Sequence, residues 1–163
     1  MHKHYPSTAP PAPAMAGPER AIFPRGAGRA SGGLELRCAV FARRYGRILL
    51  VRHRRHPLFG GDWTLPGGLL EYGVNPRESA ARLLADQAGV EADSMRLLGM
   101  NSTVEGDWIL TFVFEAPIRE NPSPGRETTD ARLFDLDALP AAVHPLTRRL
   151  LDGYRLTEKA KAV

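Results

Sequence analysis

The stretch Leu34–Phe41 (LELRCAVF) starts by alternating apolar and polar residues, as a half-buried strand does. Ala42–Gly46 reads as a turn and Arg47–His53 (RILLVRH) as a second strand, so the pair predicts a hairpin. A basic loop follows, carrying Arg52, His53, Arg54, Arg55 and His56. Gly61–Gly68 (GDWTLPGG) reads as a strand running into a glycine-marked bend. A helix is then framed on both sides. Asn75 suits the N-cap, Pro76 the first helical position and Glu78 the third place after the cap, while Gly89 beyond Ala88 can take the left-handed C′ conformation. Met95–Met100, Trp108–Glu115 and Leu133–Asp135 predict strands, and Pro145–Tyr154 a closing helix. No internal repeat and no regular βαβ alternation is present, so the predicted class is α+β, a mixed β-sheet flanked by helices.

Residues 1–33 follow another rule. Pro, Ala and Gly dominate them and no periodicity appears, so they are expected to form a disordered tail ahead of a single domain at 34–163. They lack the apolar core of a secretory signal, and a solvated extension is expected, with docking of the short Ala21–Pro24 segment on the body as the alternative. The tail also holds the charge. Lys3, Arg20, Arg25 and Arg29 against Glu19 give it a net +3, leaving +1 of the total +4 for the rest of the chain. A near-neutral body argues against a nucleic-acid surface, which needs a basic patch on a folded face. With a mean hydropathy of −0.27 and no apolar run near the roughly 18 residues that span a bilayer, no membrane helix is expected. The single cysteine, Cys38, excludes an internal disulfide, and its place in a strand predicts burial. A cytoplasmic location is the expectation, and a homodimer is compatible with the sequence.

The candidate chemistry lies between Trp63 and Val90. Trp63, Leu65, Pro66, Gly67 and Gly68 form W-x-L-P-G-G, and Glu71, Arg82, Leu84 and the pair Gly89-Val90 follow at fixed spacing. Positions 83, 86 and 87 fall i, i+3, i+4 and share one helix face. Three carboxylates there would hold a hard, oxygen-preferring cation. The chain supplies Leu83, Asp86 and Gln87, which is one carboxylate, one amide and one apolar side chain. Glu78, Arg82 and Asp86, four residues apart, predict a stripe of ion pairs along the helix.

This segment resembles the signature of the Nudix hydrolases, G-x5-E-x7-R-E-U-x-E-E-x-G-U with U aliphatic. Gly68 opens it, Arg82 and Leu84 fall in register, and Gly89-Val90 closes it. Ala131–Pro140 (ARLFDLDALP) is similar to a further stretch common in the family. The resemblance implies the Nudix fold, Mg²⁺ or Mn²⁺ held by helix glutamates and a carbonyl of the glycine bend, and a nucleoside-diphosphate-linked substrate. The chain departs from the pattern at Val74, Leu83 and Gln87, each in a glutamate place, and at Asp86, where aspartate replaces glutamate. Arg82-Leu83 is similar to the GDP-mannose mannosyl hydrolases of the superfamily, but those keep a glutamate where Gln87 stands and use a histidine base, and Asn101–Trp108 contains no histidine.

The expected function is an atypical hydrolase of a nucleoside-diphosphate-linked compound. Gly67, Asp86 and Gln87 would form a weakened metal site, and Asp86 and Glu105 would be catalytic. Arg52, Arg54 and Arg55 would clamp phosphate through charge-assisted hydrogen bonds, and Trp108 would stack on a base. The alternative is a catalytically silent Nudix domain that binds a nucleotide or a protein partner.

Overall fold

A computed structural model describes residues 33–54 and 61–161. The tail expected at 1–33 lies outside the described residues apart from Gly33, as do Ala21–Pro24 and Arg55. The chain runs β1 (Leu34–Arg44), β2 (Arg47–His53), β3 (Trp63–Thr64), β4 (Gly67–Leu69), α1 (Pro76–Ala88), β5 (Arg96–Glu105), β6 (Asp107–Pro117), β7 (Thr128–Phe134) and α2 (Pro145–Lys161).

One mixed sheet holds every strand, in the order β3-β2-β1-β6-β5, with β4 also on β1 and β7 also on β2. The β1–β2 and β5–β6 pairs are antiparallel. The β1–β6 pair that joins them is parallel, from Leu34 opposite Trp108 to Arg43 opposite Pro117. The apolar run of β1 has its reason in this geometry. Cys38, Val40 and Ala42 face the core under α1, with Leu49, Val51, Leu84 and Phe114. Ala39 and Phe41 face a second core under α2, with Ile48, Leu50, Leu65, Leu150 and Tyr154. A strand covered on both faces has no reason to alternate. Leu84 is fully buried, so truncation to alanine would cost about 2–5 kcal/mol. Cys38 is buried as expected, and burial pushes its thiol up to about 11, against a smaller lowering by a backbone hydrogen bond from Gly68.

Helix α1 has the predicted limits, but its cap differs in detail. Asn75 Oδ1 accepts from Arg77 N–H at 2.9 Å, the second helical position. Gly89 closes the helix at φ 63°. The carbonyls left at its end find partners in the segment that follows β6. Ala88 O accepts from Ser123 N–H at 2.9 Å, and Gln87 O from the Thr128 hydroxyl at 2.7 Å. The closing helix and four strands, β1, β5, β6 and β7, run longer than the sequence predicts, and β1 takes in Ala42–Arg44 of the expected turn. β5 reaches Glu105, and α2 continues to Lys161.

Helix α2 is fastened to the sheet by a charged cluster. Glu115 of β6 accepts from Arg43 at 2.7 Å, from the Tyr154 hydroxyl at 2.9 Å and from Arg96. Burial alone would raise the Glu115 carboxyl, but these three donors override it and hold it at about 2. Burial and the bond to Glu115 push the Tyr154 hydroxyl well above its ordinary value.

Candidate functional site

Two surfaces meet at the glycine bend, one on each side of the sheet. On the first lies α1, held against the bend by Gln87. This side chain is 2 % exposed. Its Oε1 accepts from Gly67 N–H at 2.9 Å and its Nε2 donates to Gly67 O at 2.8 Å. Gly67 has no room for any other residue. Its φ is +155°, and a Cβ would fall 2.1 Å from Cys38 O. The Leu83 methyl groups pack over Gly68, 3.8 Å from where its Cβ would be.

The charges of α1 do not assemble as the spacing predicts. Arg82 reaches back to Glu71 at 2.9 Å, both side chains exposed, and among the described residues makes no ion pair with Glu78 or Asp86. Glu71 stands on the loop between β4 and α1, and it takes Arg82 in place of either helix neighbour. Asp86 is exposed beside an open groove of about 580 Å³ lined also by Gly125, Arg126 and Glu127. Glu105 is not beside it. It sits at the β5–β6 turn and pairs with Arg149 of α2 at 2.6 Å, on the other side of the sheet.

Of the three arginines expected to clamp phosphate, Arg52 and Arg54 lie among the described residues, both exposed. Arg52 donates to Gly61 O at 2.8 Å and lies over the Trp63 ring at 5.6 Å. Arg54 is exposed, and its backbone N–H donates to Glu127 O at 2.7 Å, which puts it at the edge of the Asp86 groove. Trp108 donates to the Ser102 hydroxyl at 2.8 Å and is 52 % exposed, in the register of Leu34 and Val104. By the pleat it shares the α1-facing side with Phe112 and Phe114.

The second surface is a cleft between the sheet and α2, and sequence reasoning missed it. One depression of about 50 Å³ is lined by Arg37, His53, Thr64, Gly67, Thr111, His144 and Thr147, among others. It shares Leu150 with a neighbouring depression of about 460 Å³ that holds Met100, Asn101 and Tyr154. Arg37, Thr111 and Asn101 lie in one register row across β1, β6 and β5. Arg37 Nε, Thr111 Oγ1 and Asn101 Oδ1 are all buried without a hydrogen-bond partner, and Thr103 Oγ1, two residues along β5, is in the same condition. Arg37 otherwise pairs with Glu35 at 2.5 Å. His53 Nε2 is 3.1 Å from the Thr64 hydroxyl, and His144 Nδ1 accepts from Leu146 N–H at 3.3 Å, capping α2. The polar row had a weak signal in the sequence. Thr111 interrupts the apolar run of β6, while Arg37, Asn101 and Thr103 stand in strands that hold other polar residues, and only register puts three of the four in line.

Nudix hydrolases generally use divalent metals, so the donor set must be tested against one. A hard cation takes six or more oxygens. Here Leu83 offers none, Gln87 spends its amide on Gly67, and the Gly67 carbonyl already accepts from that amide. Among the described residues no group of three or more His, Cys, Asp or Glu side chains could hold a metal ion. The residues present do not fit the group.

The chain is nonetheless similar to known proteins over most of its length. It is 30 % identical over 98 residues to the ADP-ribose pyrophosphatase of Methanocaldococcus jannaschii, covering 58 % of this chain and 57 % of that protein. It is 33 % identical over 93 residues to a MutT-like protein of Streptomyces ambofaciens, covering 56 % and 54 %. The chain thus spans about half the length of these curated relatives. Among solved structures, the MutT NUDIX hydrolase of Burkholderia pseudomallei superposes with a TM-score of 0.66 at 25 % identity, over 73 % of this chain and 96 % of that one. The NUDIX domain family itself matches residues 35–154, from the first strand into α2. With the glycine bend, the helix and its two caps in register inside that span, the chain belongs to the Nudix family.

Proposed function

We propose that the protein binds a nucleoside-diphosphate-linked small molecule in the cleft under α2, and that recognition, rather than metal-dependent hydrolysis, is its main activity. One observation carries this reading. The Thr111 hydroxyl is 2 % exposed, has no partner, and lines the cleft in a row with Arg37 Nε and the Asn101 amide oxygen. A buried polar group left unmade costs about 1–3 kcal/mol. Several in one row, mixing donor, acceptor and hydroxyl, suit a ligand with the opposite pattern, such as a ribose or a heterocyclic base. The relative named as an ADP-ribose pyrophosphatase supports the compound class.

The test is calorimetric titration of ADP-ribose and of nucleoside-diphosphate sugars into the full chain in EDTA. Micromolar binding is expected for at least one of them, weakened about tenfold by Thr111→Val, the loss of roughly one hydrogen bond. If none binds, or if the valine variant binds as well as wild type, the reading fails.

The second reading is a slow hydrolase. It is favoured by Asp86, which remains exposed at a groove shared with Arg126 and Glu127. Turnover of ADP-ribose in Mg²⁺ or Mn²⁺ that disappears in Asp86→Asn would support it. Turnover equal in the two would remove Asp86 from the reaction.

A further inference from the structure

The pairing of Gln87 with Gly67 has the form of a strand contact. Two antiparallel residues facing each other exchange both N–H···O bonds. Here a side-chain amide plays one of the two residues, giving its N–H to Gly67 O at 2.8 Å and taking Gly67 N–H at 2.9 Å. The contact is buried, with Gln87 2 % exposed, and Leu83 packs over the adjoining Gly68. Both polar groups of Gly67 and both ends of the amide are thereby satisfied.

A glutamate of the same shape could satisfy only half of this. One carboxylate oxygen would accept from Gly67 N–H, and the other would stand lone pair to lone pair against Gly67 O. A carboxyl in that position is tolerated only if it takes up a proton and donates it to Gly67 O, or, where it stays ionised, if a cation lies between the two oxygens. We infer that the Gln87 carboxamide is an internal occupant of a cation position between α1 and the glycine bend, so that the fold and its ligand cleft are independent of divalent metal. One atom pair decides this, since Gln87→Glu turns the same contact into one that, above the pH at which the carboxyl gives up its proton, requires a cation. The inference goes beyond the proposed ligand and does not rest on it.

The experiment is thermal unfolding of the full chain in EDTA and in millimolar MgCl₂ or MnCl₂, for wild type, Gln87→Glu and Gln87→Met. The wild-type midpoint is expected to be the same in all three buffers. Gln87→Glu should fall by roughly 5–10 °C in EDTA and regain at least half of that in Mn²⁺. Gln87→Met, which keeps the length and loses both hydrogen bonds, should fall without any response to metal. If Gln87→Glu does not fold in EDTA, its refolding yield from denaturant with and without Mn²⁺ gives the same reading. A wild-type midpoint that climbs with Mg²⁺ or Mn²⁺ overturns the inference. So does a glutamate variant as stable as wild type in EDTA, or one destabilised and deaf to both cations. Failed titrations of ADP-ribose and of the nucleoside-diphosphate sugars in EDTA, beside a metal-insensitive wild type, would remove the ligand proposal and leave this one standing.

Discussion

The two sides of the sheet have kept opposite halves of a binding site. On the α1 side the backbone is kept in detail, with the positive-φ Gly67, the Asn75 cap and the left-handed Gly89, while of the three side chains on the helix face only Asp86 keeps a charge, Leu83 being apolar and Gln87 neutral. On the α2 side no motif is visible, yet buried polar atoms stand in a row without partners. The glycine bend is satisfied by Gln87, and on that side Ser79 Oγ of α1 is buried without a partner, whereas on the α2 side four such atoms of the sheet gather around one cleft. Hydrogen-bonding need, rather than motif spacing, therefore points to where a ligand goes.

The largest effect should come from Gly67→Ala, because Gly67 borders both sides. A Cβ 2.1 Å from Cys38 O cannot be relieved without moving β1 or β4. A loss of about 4 kcal/mol or more is expected, read as little or no soluble folded protein by circular dichroism. If the variant folds and keeps the Gln87 contact, the two sides are less tightly joined than the geometry implies.

Glu115→Gln should come next and act on the α2 side. The Glu115 carboxyl is held at about 2, below its ordinary 4.5. A depressed carboxyl stabilises the fold above its unfolded value, and that contribution is lost as pH falls from there through about 2. The side chain is 15 % exposed, so on the order of 2 kcal/mol is expected near neutral pH. Urea midpoints for wild type and variant should differ at pH 7 and converge toward pH 2. A gap that stays constant with pH would assign the effect to packing instead of charge.

Thr111→Val sharpens the comparison by separating stability from binding. Removing a buried hydroxyl that has no partner should leave the urea midpoint unchanged or raise stability by up to about 1 kcal/mol, even as affinity falls. A clear loss of stability would mean that the hydroxyl is satisfied in the free protein. The smallest effect belongs to Asp86→Ala. An exposed side chain away from the cleft should change stability by less than about 0.5 kcal/mol and leave affinity in EDTA untouched.

How much of this was legible in the sequence depends on the range of the interaction. The hairpin of β1 and β2, the bend and the limits of α1 rest on contacts within a few residues. Gly67, Asn75, Pro76 and Gly89 announce them. The ion pairs failed because helical spacing knows nothing of the preceding loop, which brought Glu71 to Arg82. Helical spacing places Gln87 in a weakened metal site beside Asp86. Its bond to a backbone group 20 residues away exists only once α1 is seated on the bend. The polar row was out of reach for the same reason, since Arg37 and Thr111 meet only through the parallel pairing of β1 with β6.

That parallel pair also has a consequence for assembly. The two hairpins each close over a few residues, whereas the pairing that joins them ties Gly33 to Asp107 across 74 positions. Closing so long a loop is entropically costly before any contact rewards it, and such pairings form slowly. The cleft takes Arg37 from one hairpin and Thr111 and Asn101 from the other, so it comes into existence only at that late step. A ligand that recognises the row is then available only to the closed sheet, and will shift the folding equilibrium toward closure in proportion to its concentration.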